Sequence, residues 1–190
     1  MANTQTRLRM MIVSAMFAAI IGILAQMYIP LPLVPITGQT LAIGLAATIL
    51  GSRYGTLSVL LYLFIGAVGV PVFAEASGGV HHLLGTTGGY LVGFIPTAFI
   101  IGYYLEKTSF TVIQALIANI IGMIITLAFG TVWLKIAASL SWTAAFAGGF
   151  TPFLIVGVIK AFLAAWIGVI VRKRLLSAKL LPTSKQNIAA

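Results

Sequence analysis

The chain has 190 residues, of which 61% are hydrophobic and only 7% are charged, and its mean hydropathy is +1.13. Ordinary soluble domains carry roughly 25% charged residues, so this composition excludes a typical soluble protein and predicts a membrane protein. The 11 Lys and Arg residues outnumber two acids, yet they lie at the ends of apolar runs, which argues against nucleic-acid binding. The chain has no cysteine, which excludes disulfides and thiolate metal sites.

Six apolar runs are long enough to cross a membrane, since about 20 helical residues span ~30 Å of hydrocarbon. We predict a single integral-membrane domain over residues 1–190, with spans at about 8–29, 36–52, 54–70, 88–105, 109–135 and 150–171. Basic residues precede the first run, follow the last, and occupy only the second and fourth connections. By the positive-inside rule, this pattern predicts an all-α protein with six transmembrane helices and both termini in the cytoplasm.

The first run contains the stretch "SAMFAAIIG", in which Ala15 and Ala19 lie four residues apart. Small residues at this spacing allow another helix to approach closely. The face they form serves either packing within the bundle or docking of a second membrane subunit, and both interpretations stand at this point.

A polar stretch at membrane depth begins the second run, in "PLPLVPITGQT". Its three prolines prevent a regular helix, and irregular backbone at this depth is tolerated only beside protein or a water-filled cavity. Thr37, Gly38, Gln39 and Thr40 are therefore candidates for a ligand pocket, although Thr37 is equally expected to cap the helix.

The third connection, "PVFAEASGGVHHLLGTTGGYL", is rich in glycine and supplies a second irregular element. Its glycines allow backbone to approach a ligand, and its apolar residues could cover a cavity. The candidate contacts here are Phe73, Ser77, Gly79, Thr87 and Tyr90. The motif GxxxxGK[ST] is absent, so we do not expect this chain to bind a nucleotide.

The adjacent residues His81 and His82 have no third ligand nearby, so a solvated pair is expected there and no metal site. A Ser and His arrangement on this external loop would lack an acid to orient it other than Glu75, which argues against an enzyme. In the fifth run, Asn119 is polar at mid-membrane and is interpreted as a residue that joins helices.

Lys160 lies near the middle of the last run, "TPFLIVGVIKAFLAAWIG". Counting back from Arg172 places it ~18 Å above the inner boundary, where a lysine costs ~2.5–3.5 kcal/mol. Glu75 and Glu106 both lie in connections, so no acid is available at that depth. We expect Lys160 to face the carboxylate of a bound small molecule; the alternatives are bonding to backbone carbonyls, a neutral lysine, or pairing with an infolded Glu75.

Four motifs in order, "PLPLVPITGQTLAI", "GVPVFA", "LLGTTGGYLVGF" and "PFLIVGVIKAFLAA", resemble the BioY family of biotin-specific substrate-binding components of energy-coupling factor (ECF) transporters. The resemblance implies a six-helix S-component fold in the bacterial cell membrane, surrounded by lipid, with biotin held toward the outer side. It also implies partnership with a transmembrane coupling protein and paired ATPases. The motif lysine corresponds to Lys160, and the docking residues of the first helix correspond to Ala15 and Ala19.

The sequence departs from the family pattern at Gly157, where the family commonly has an acid three residues before the lysine. This leaves open which groups accept hydrogen bonds from the ureido N–H groups of biotin; Gln39, Thr40, Ser77 and Tyr90 are candidates. We therefore expect a high-affinity biotin-binding membrane subunit that needs no cofactor and performs no covalent chemistry. The alternative is a self-sufficient secondary carrier for a small carboxylate-bearing solute.

Overall fold

The computed structural model describes residues 2–181, and within this range the chain is mostly helical. The first and third connections contain the proline and glycine clusters seen in the sequence. The elements are α1 (Ala2–Ala25), β1 (Tyr28–Ile29), β2 (Ile36–Thr37), α2 (Gln39–Ala67), a 3-10 turn (Ala74–Ala76), α3 (Val80–Leu84), α4 (Gly88–Lys107), α5 (Val112–Ala137), α6 (Trp142–Gly149) and α7 (Thr151–Ser177).

Helix α2 is a hairpin of two antiparallel arms, residues 39–50 and 52–67, joined at Gly51. Gly51 has φ 83° and ψ −173°, a conformation that is open almost only to glycine. A side-chain contact demonstrates the reversal: the Gln39 amide donates a hydrogen bond to the Tyr62 hydroxyl. A straight helix would separate these two residues by ~35 Å.

Five stretches are long and apolar enough to cross a membrane: Thr4–Ala25, Gln39–Ala67, Gly88–Lys107, Val112–Ala137 and Trp142–Ser177. The reversal in α2 divides the second stretch into two arms, so the described part of the chain presents six apolar segments. The prediction of an all-α membrane protein with six such segments is confirmed.

The first connection begins earlier in the structure than the predicted end of the first span, near residue 29. Helix α1 ends at Ala25 instead of near residue 29, and strand β1 pairs antiparallel with β2, Tyr28 opposite Thr37. The prolines between the strands exclude helix, and the short strand pair satisfies some of the backbone groups that would otherwise be unpaired. The second helix consequently starts at Gln39 and not at residue 36.

The fifth connection contains a helix that the sequence interpretation missed. Ser141 caps the N-terminus of α6, where its hydroxyl accepts a hydrogen bond from the backbone N–H of Ala144 at 3.2 Å. Serine is a preferred N-cap, so the signal for this helix was present in the sequence. Phe150, with φ −121° and ψ −60°, breaks the helical path between α6 and α7.

Four helices form a closed ring. Helix α2 packs on α4, α4 on α5, α5 on α7, and α7 on α2, so α4 and α7 face each other across the interior. Helix α1 lies outside this ring and packs mainly against α2. Ala15 and Ala19 lie on the exposed side of α1, while Ser14 and Ala18 face the bundle.

Both ends of the described chain lie on the same side of the bundle, which we call the basic end. The Arg9 guanidinium donates to the Lys179 carbonyl at 2.9 Å, so the start of α1 adjoins the segment after α7. At the same end, the Glu106 carboxylate accepts hydrogen bonds from the Ser52 N–H at 2.8 Å and the Ser52 hydroxyl at 2.7 Å. The cytoplasmic orientation of this end stays a prediction.

Arg172 differs from the expected flanking residue at the membrane boundary. It is only 4% exposed, it donates to the Ile49 carbonyl, and its guanidinium lies 3.6 Å from the centre of the Phe110 ring. Helix α7 continues past it to Ser177. Protein surrounds this cation because Ile49 and Phe110, from two other parts of the chain, close over it.

Candidate ligand-binding site

A cavity of about 380 Å³ lies inside the ring of α2, α4, α5 and α7, with the first and third connections at its outer end. This volume is within the range of roughly 300–1,000 Å³ that is usual for small-molecule sites. Most of its wall is apolar, and a few polar side chains project from each element of the ring. Such a lining binds a small molecule by apolar contact and orients it through a few polar groups.

Eight of the ten residues predicted to contact a ligand line this cavity: Thr37, Gln39, Thr40, Phe73, Ser77, Thr87, Tyr90 and Lys160. Gly38 and Gly79 are not in the lining. The Gly38 N–H donates to the Met27 carbonyl at 2.8 Å, and a Cβ at this position would collide with the Leu24 carbonyl. The Gly79 N–H donates to the Gly66 carbonyl at 2.7 Å. Both glycines support the backbone behind the cavity wall.

The Lys160 ammonium projects from α7 toward the start of α2. It donates to the Thr37 carbonyl at 2.6 Å and makes a long contact of 3.4 Å with the Thr40 hydroxyl. An ammonium has three protons, so one remains without a partner among the described residues. No described carboxylate bonds to it, although Glu75 lines the same cavity. The cation thus has neutral partners and adjoins open space.

The wall formed by α2 is fixed by a short series of hydrogen bonds. The Thr37 hydroxyl donates to the Gln39 amide oxygen at 2.8 Å, and the Gln39 amide nitrogen donates to the Tyr62 hydroxyl on the second arm of the hairpin. Thr37 therefore does not cap α2 with its side chain, and Gly38 occupies the N-cap position. These contacts hold the Thr37 carbonyl where Lys160 reaches it.

Phe73 covers the cavity beside the second arm of α2. Its ring is 2% exposed and meets the Tyr62 ring edge-on at 5.5 Å. The Gln26 amide at the end of α1 donates to the Phe73 carbonyl at 2.9 Å and accepts from the Ala76 N–H at 2.9 Å. Gln26 therefore attaches the 3-10 turn to α1.

Tyr90 and Ser77 present their polar atoms differently from the sequence expectation. The Tyr90 hydroxyl donates to the Gly149 carbonyl at 2.6 Å, which leaves its ring facing the cavity. The Ser77 hydroxyl donates to the Ala74 carbonyl at 2.6 Å within the 3-10 turn. Each hydroxyl has therefore already used its proton on a backbone carbonyl, and only its lone pairs are free for a ligand.

Two titratable groups lie at the outer end of the cavity, Glu75 and His82. Burial lowers the pKa of His82 below its usual value of 6.5, the neighbouring His81 lowers it further, and Glu75 opposes both effects. The neutral imidazole is therefore favoured at neutral pH. Across residues 2–181 no three His, Cys, Asp or Glu side chains form a metal-binding group.

Sequence reasoning missed three polar residues of the inner wall. Thr97 on α4 and Thr126 on α5 line the cavity, as does Asn119, which was interpreted only as a contact between helices. Threonines are common in transmembrane helices and carry no signal on their own. At Gly157, a Cβ would meet the Met123 sulfur, so a methionine side chain lies where the family pattern has an acid.

The ring of helices and its cavity define a multi-pass membrane protein with an internal site for a small molecule. The model of the BioY family matches residues 1–177, and the chain belongs to this family. That membership agrees with the motifs from which the resemblance was inferred.

Similar proteins support the same conclusion. The chain is 41% identical to the biotin transporter BioY2 of Lactococcus lactis, over 86% of this chain and 90% of that protein. It is 39% identical to the biotin transporter BioY of Thermotoga maritima, over 87% and 97%. The crystal structure of the S-component for biotin from an ECF-type ABC transporter superposes with a TM-score of 0.83 at 31% identity, covering 91% of this chain and 95% of that one. The S-component fold is thereby confirmed, and these relatives are named as transporters and not as enzymes.

Proposed function

We propose that this chain is the biotin-binding membrane subunit of an ATP-driven ECF uptake transporter and performs no covalent chemistry. The observation that carries the proposal is the Lys160 ammonium, which adjoins the cavity and has only neutral hydrogen-bond partners. A partly buried cation with a free proton favours an anion, because the arriving charge offsets the cost of desolvating the lysine. The similar proteins named as biotin transporters indicate which carboxylate it is.

In this proposal the valerate carboxylate of biotin pairs with Lys160 and replaces its long contact with Thr40. The fused rings pack against the aromatic surfaces of Phe73 and Tyr90. The remaining predicted contacts, Thr37, Gln39, Ser77 and Thr87, line the cavity and offer polar atoms to the ligand. Phe73 covers the site from the third connection, and the strand pair of the first connection borders its other side.

In this proposal the energy for uptake comes from other proteins. The sequence has no phosphate-binding GxxxxGK[ST] motif, and its two acids lie outside the mid-membrane region where a proton relay would be needed. We propose that a transmembrane coupling protein and paired ATPases supply it. The exposed pair Ala15 and Ala19 on α1 lies outside the helix ring and is the proposed docking face for the coupling protein.

The first test is calorimetric titration of the purified, biotin-depleted chain with biotin and with biotin methyl ester. The ester removes the carboxylate charge and changes little else. We expect biotin to bind at least tenfold more tightly than the ester, because a hydrogen bond to a charged group contributes about 1.5–3 kcal/mol. Equal binding of the two would contradict the role of Lys160, and binding of neither would contradict biotin as the ligand.

The second test concerns the energy source. Proteoliposomes that contain this chain alone should bind biotin without accumulating it, whereas addition of the coupling protein, the ATPases and ATP should produce uptake. ATP-independent uptake by the chain alone would favour a self-sufficient carrier. An Ala15→Leu, Ala19→Leu double variant should bind biotin normally and lose ATP-driven uptake, since larger side chains prevent close helix approach.

A further inference from the structure

The turn that covers the outer end of the cavity has a strained backbone. We call residues 73–77 the lid; four of them line the cavity, namely Phe73, Ala74, Glu75 and Ser77. Glu75 has φ 60° and the next residue, Ala76, has φ 51°, so two successive residues with side chains occupy the left-handed region. This region is unfavourable for residues other than glycine, and such conformations persist only where other contacts hold them. The closed lid therefore needs support from elsewhere in the protein.

The side chain of Gln26, directly after α1, supplies this support. Its amide nitrogen donates to the Phe73 carbonyl at 2.9 Å, and its amide oxygen accepts from the Ala76 N–H at 2.9 Å. A backbone carbonyl only accepts and a backbone N–H only donates, so both contacts agree on which end of the amide is nitrogen. Gln26 thus bonds the backbone on both sides of Glu75. Among the described residues, these are the only hydrogen bonds that join the lid to another element.

Gln26 and the lid lie on the face of α1 that carries Ala15 and Ala19. Positions 15, 19, 22 and 26 recur every three or four residues and therefore follow one side of the helix. The Gln26 amide also donates to the Gly22 carbonyl at 3.2 Å, and a Cβ at Gly22 would lie 3.3 Å from the Cβ of Val72. The chain beside the lid thus packs closely on α1. The lid rests on the outer continuation of the face that is proposed to dock the coupling protein.

We infer that Gln26 is a latch: its two hydrogen bonds hold the strained lid closed and thereby set the rate at which the ligand leaves the cavity. The inference rests on the proposed function for the identity of that ligand. Gln26 is not in the lining of the cavity, so it is a positioning residue that acts through the lid. Without its hydrogen bonds, the backbone of Glu75 and Ala76 is free to relax, and the cover formed by Phe73 opens more often.

The test measures dissociation of radiolabelled biotin from the purified full chain, and backbone hydrogen exchange of the lid without biotin. Gln26→Met nearly keeps the size of the side chain and removes both hydrogen bonds. We expect it to raise the dissociation rate about tenfold, because the closed lid loses two hydrogen bonds. The association rate should not fall, since a lid that opens more often does not obstruct entry. Hydrogen exchange of the lid should become faster.

Two further variants separate the latch from general destabilisation. Gln114→Met is the matched control, because the Gln114 amide oxygen on α5 accepts from the Tyr104 hydroxyl at 2.8 Å, outside the lining of the cavity. It should leave both rates of biotin binding unchanged. Ala76→Gly, added to Gln26→Met, should restore part of the slow dissociation, because glycine adopts a positive φ without strain.

The outcomes distinguish the latch from the proposed function. Wild-type rates of dissociation and hydrogen exchange in Gln26→Met would overturn the latch, as would an equal effect of Gln114→Met. A double variant that releases biotin no more slowly than Gln26→Met would overturn the part assigned to backbone strain. If the wild-type chain does not bind biotin, yet hydrogen exchange of the lid is faster in Gln26→Met, the latch is supported and the proposed function is wrong.

Discussion

Two of the cations on helix α7, Lys160 and Arg172, lie twelve residues apart in opposite surroundings. Arg172 is enclosed: a carbonyl accepts from its guanidinium, and the Phe110 ring lies 3.6 Å from it. Lys160 makes one short and one long hydrogen bond to neutral groups and adjoins a cavity of about 380 Å³. Both cations are costly inside a membrane protein.

The difference indicates what each cation is for. Arg172 joins α7 to the hairpin of α2 and to the connection that holds Phe110. Its buried Nε has no hydrogen-bond partner among the described residues, but Arg172 is not in the lining of the cavity. An ammonium can donate three hydrogen bonds, and the protein accepts only two from Lys160. The remaining side of the ammonium is open to a ligand. We therefore expect substitutions of Lys160 to affect binding and substitutions of Arg172 to affect stability.

The largest expected effect is on binding, in Lys160→Met. Biotin affinity should fall by about 2–5 kcal/mol, because the carboxylate loses its charged partner. The affinity for biotin methyl ester should change far less, and thermal stability should not decrease, since no buried cation remains. Titration calorimetry on both ligands measures this. Lys135→Met is the matched control, because that lysine stacks on Trp142 at 5.1 Å outside the cavity; an equal loss there would contradict a specific role for Lys160.

Arg172→Met should have the converse effect. Loss of the hydrogen bond to Ile49 and of the contact with Phe110 should lower the free energy of unfolding by about 1–2 kcal/mol, because removal of the unpartnered buried Nε offsets part of the loss. Biotin affinity should stay within about twofold of wild type, because the site is more than a helical turn away. Thermal unfolding in detergent, with and without biotin, measures both quantities. A stable variant with weakened binding would show that the two cations do not divide the tasks in this way.

Gly51→Ala tests the packing beside Arg172. A φ of 83° with extended ψ should cost about 1–3 kcal/mol for alanine, and the new Cβ would also collide with the Glu106 carboxylate. The control is Gly69→Ala, where φ is 104° and no atom lies within 4 Å of the added Cβ. We expect a larger decrease in Tm for Gly51→Ala. Equal decreases would mean that backbone strain alone accounts for both.

The smallest expected effect is a pH dependence at the outer end of the cavity. Because burial holds the pKa of His82 below 6.5, the unfolded chain binds the proton more readily than the folded chain does. Stability should therefore fall as the pH drops below about 6.5. His82→Gln should reduce this slope, and His81→Gln should reduce it less, because it removes only the second of the two causes that lower the pKa of His82. A slope unchanged in His82→Gln would assign the effect to another group.

The sequence predicted those parts of the site that depend on depth along one helix. Lys160 could be identified because a lysine in the middle of an apolar run is conspicuous, and the polar residues Gln39 and Thr40 matched it in depth. The enclosure of Arg172 could not be predicted, since Ile49 and Phe110 reach it only through the tertiary fold. An arginine near the end of an apolar segment predicts the membrane boundary, whether or not other parts of the protein bury its side chain.

Asn119 illustrates the same limit within the site. Its interpretation as a contact between helices is supported, because its nitrogen bonds to Thr48 on α2. That the amide oxygen of Asn119 has no hydrogen-bond partner among the described residues follows only from the three-dimensional contacts of its nitrogen. Thr97 and Thr126 gave no signal in sequence, although their hydroxyls lie 2.7 Å apart in the wall of the cavity. The helix pattern was thus predictable from composition, while the direction of each hydrogen bond was not.

The reversal at Gly51 also affects how the chain enters the membrane during synthesis. The first arm of α2, residues 39–50, is about 18 Å long, well short of the ~30 Å of hydrocarbon that a lone helix must cross. An isolated arm would leave polar backbone groups facing lipid. We therefore expect the two arms to enter the bilayer together, after synthesis has passed residue 67.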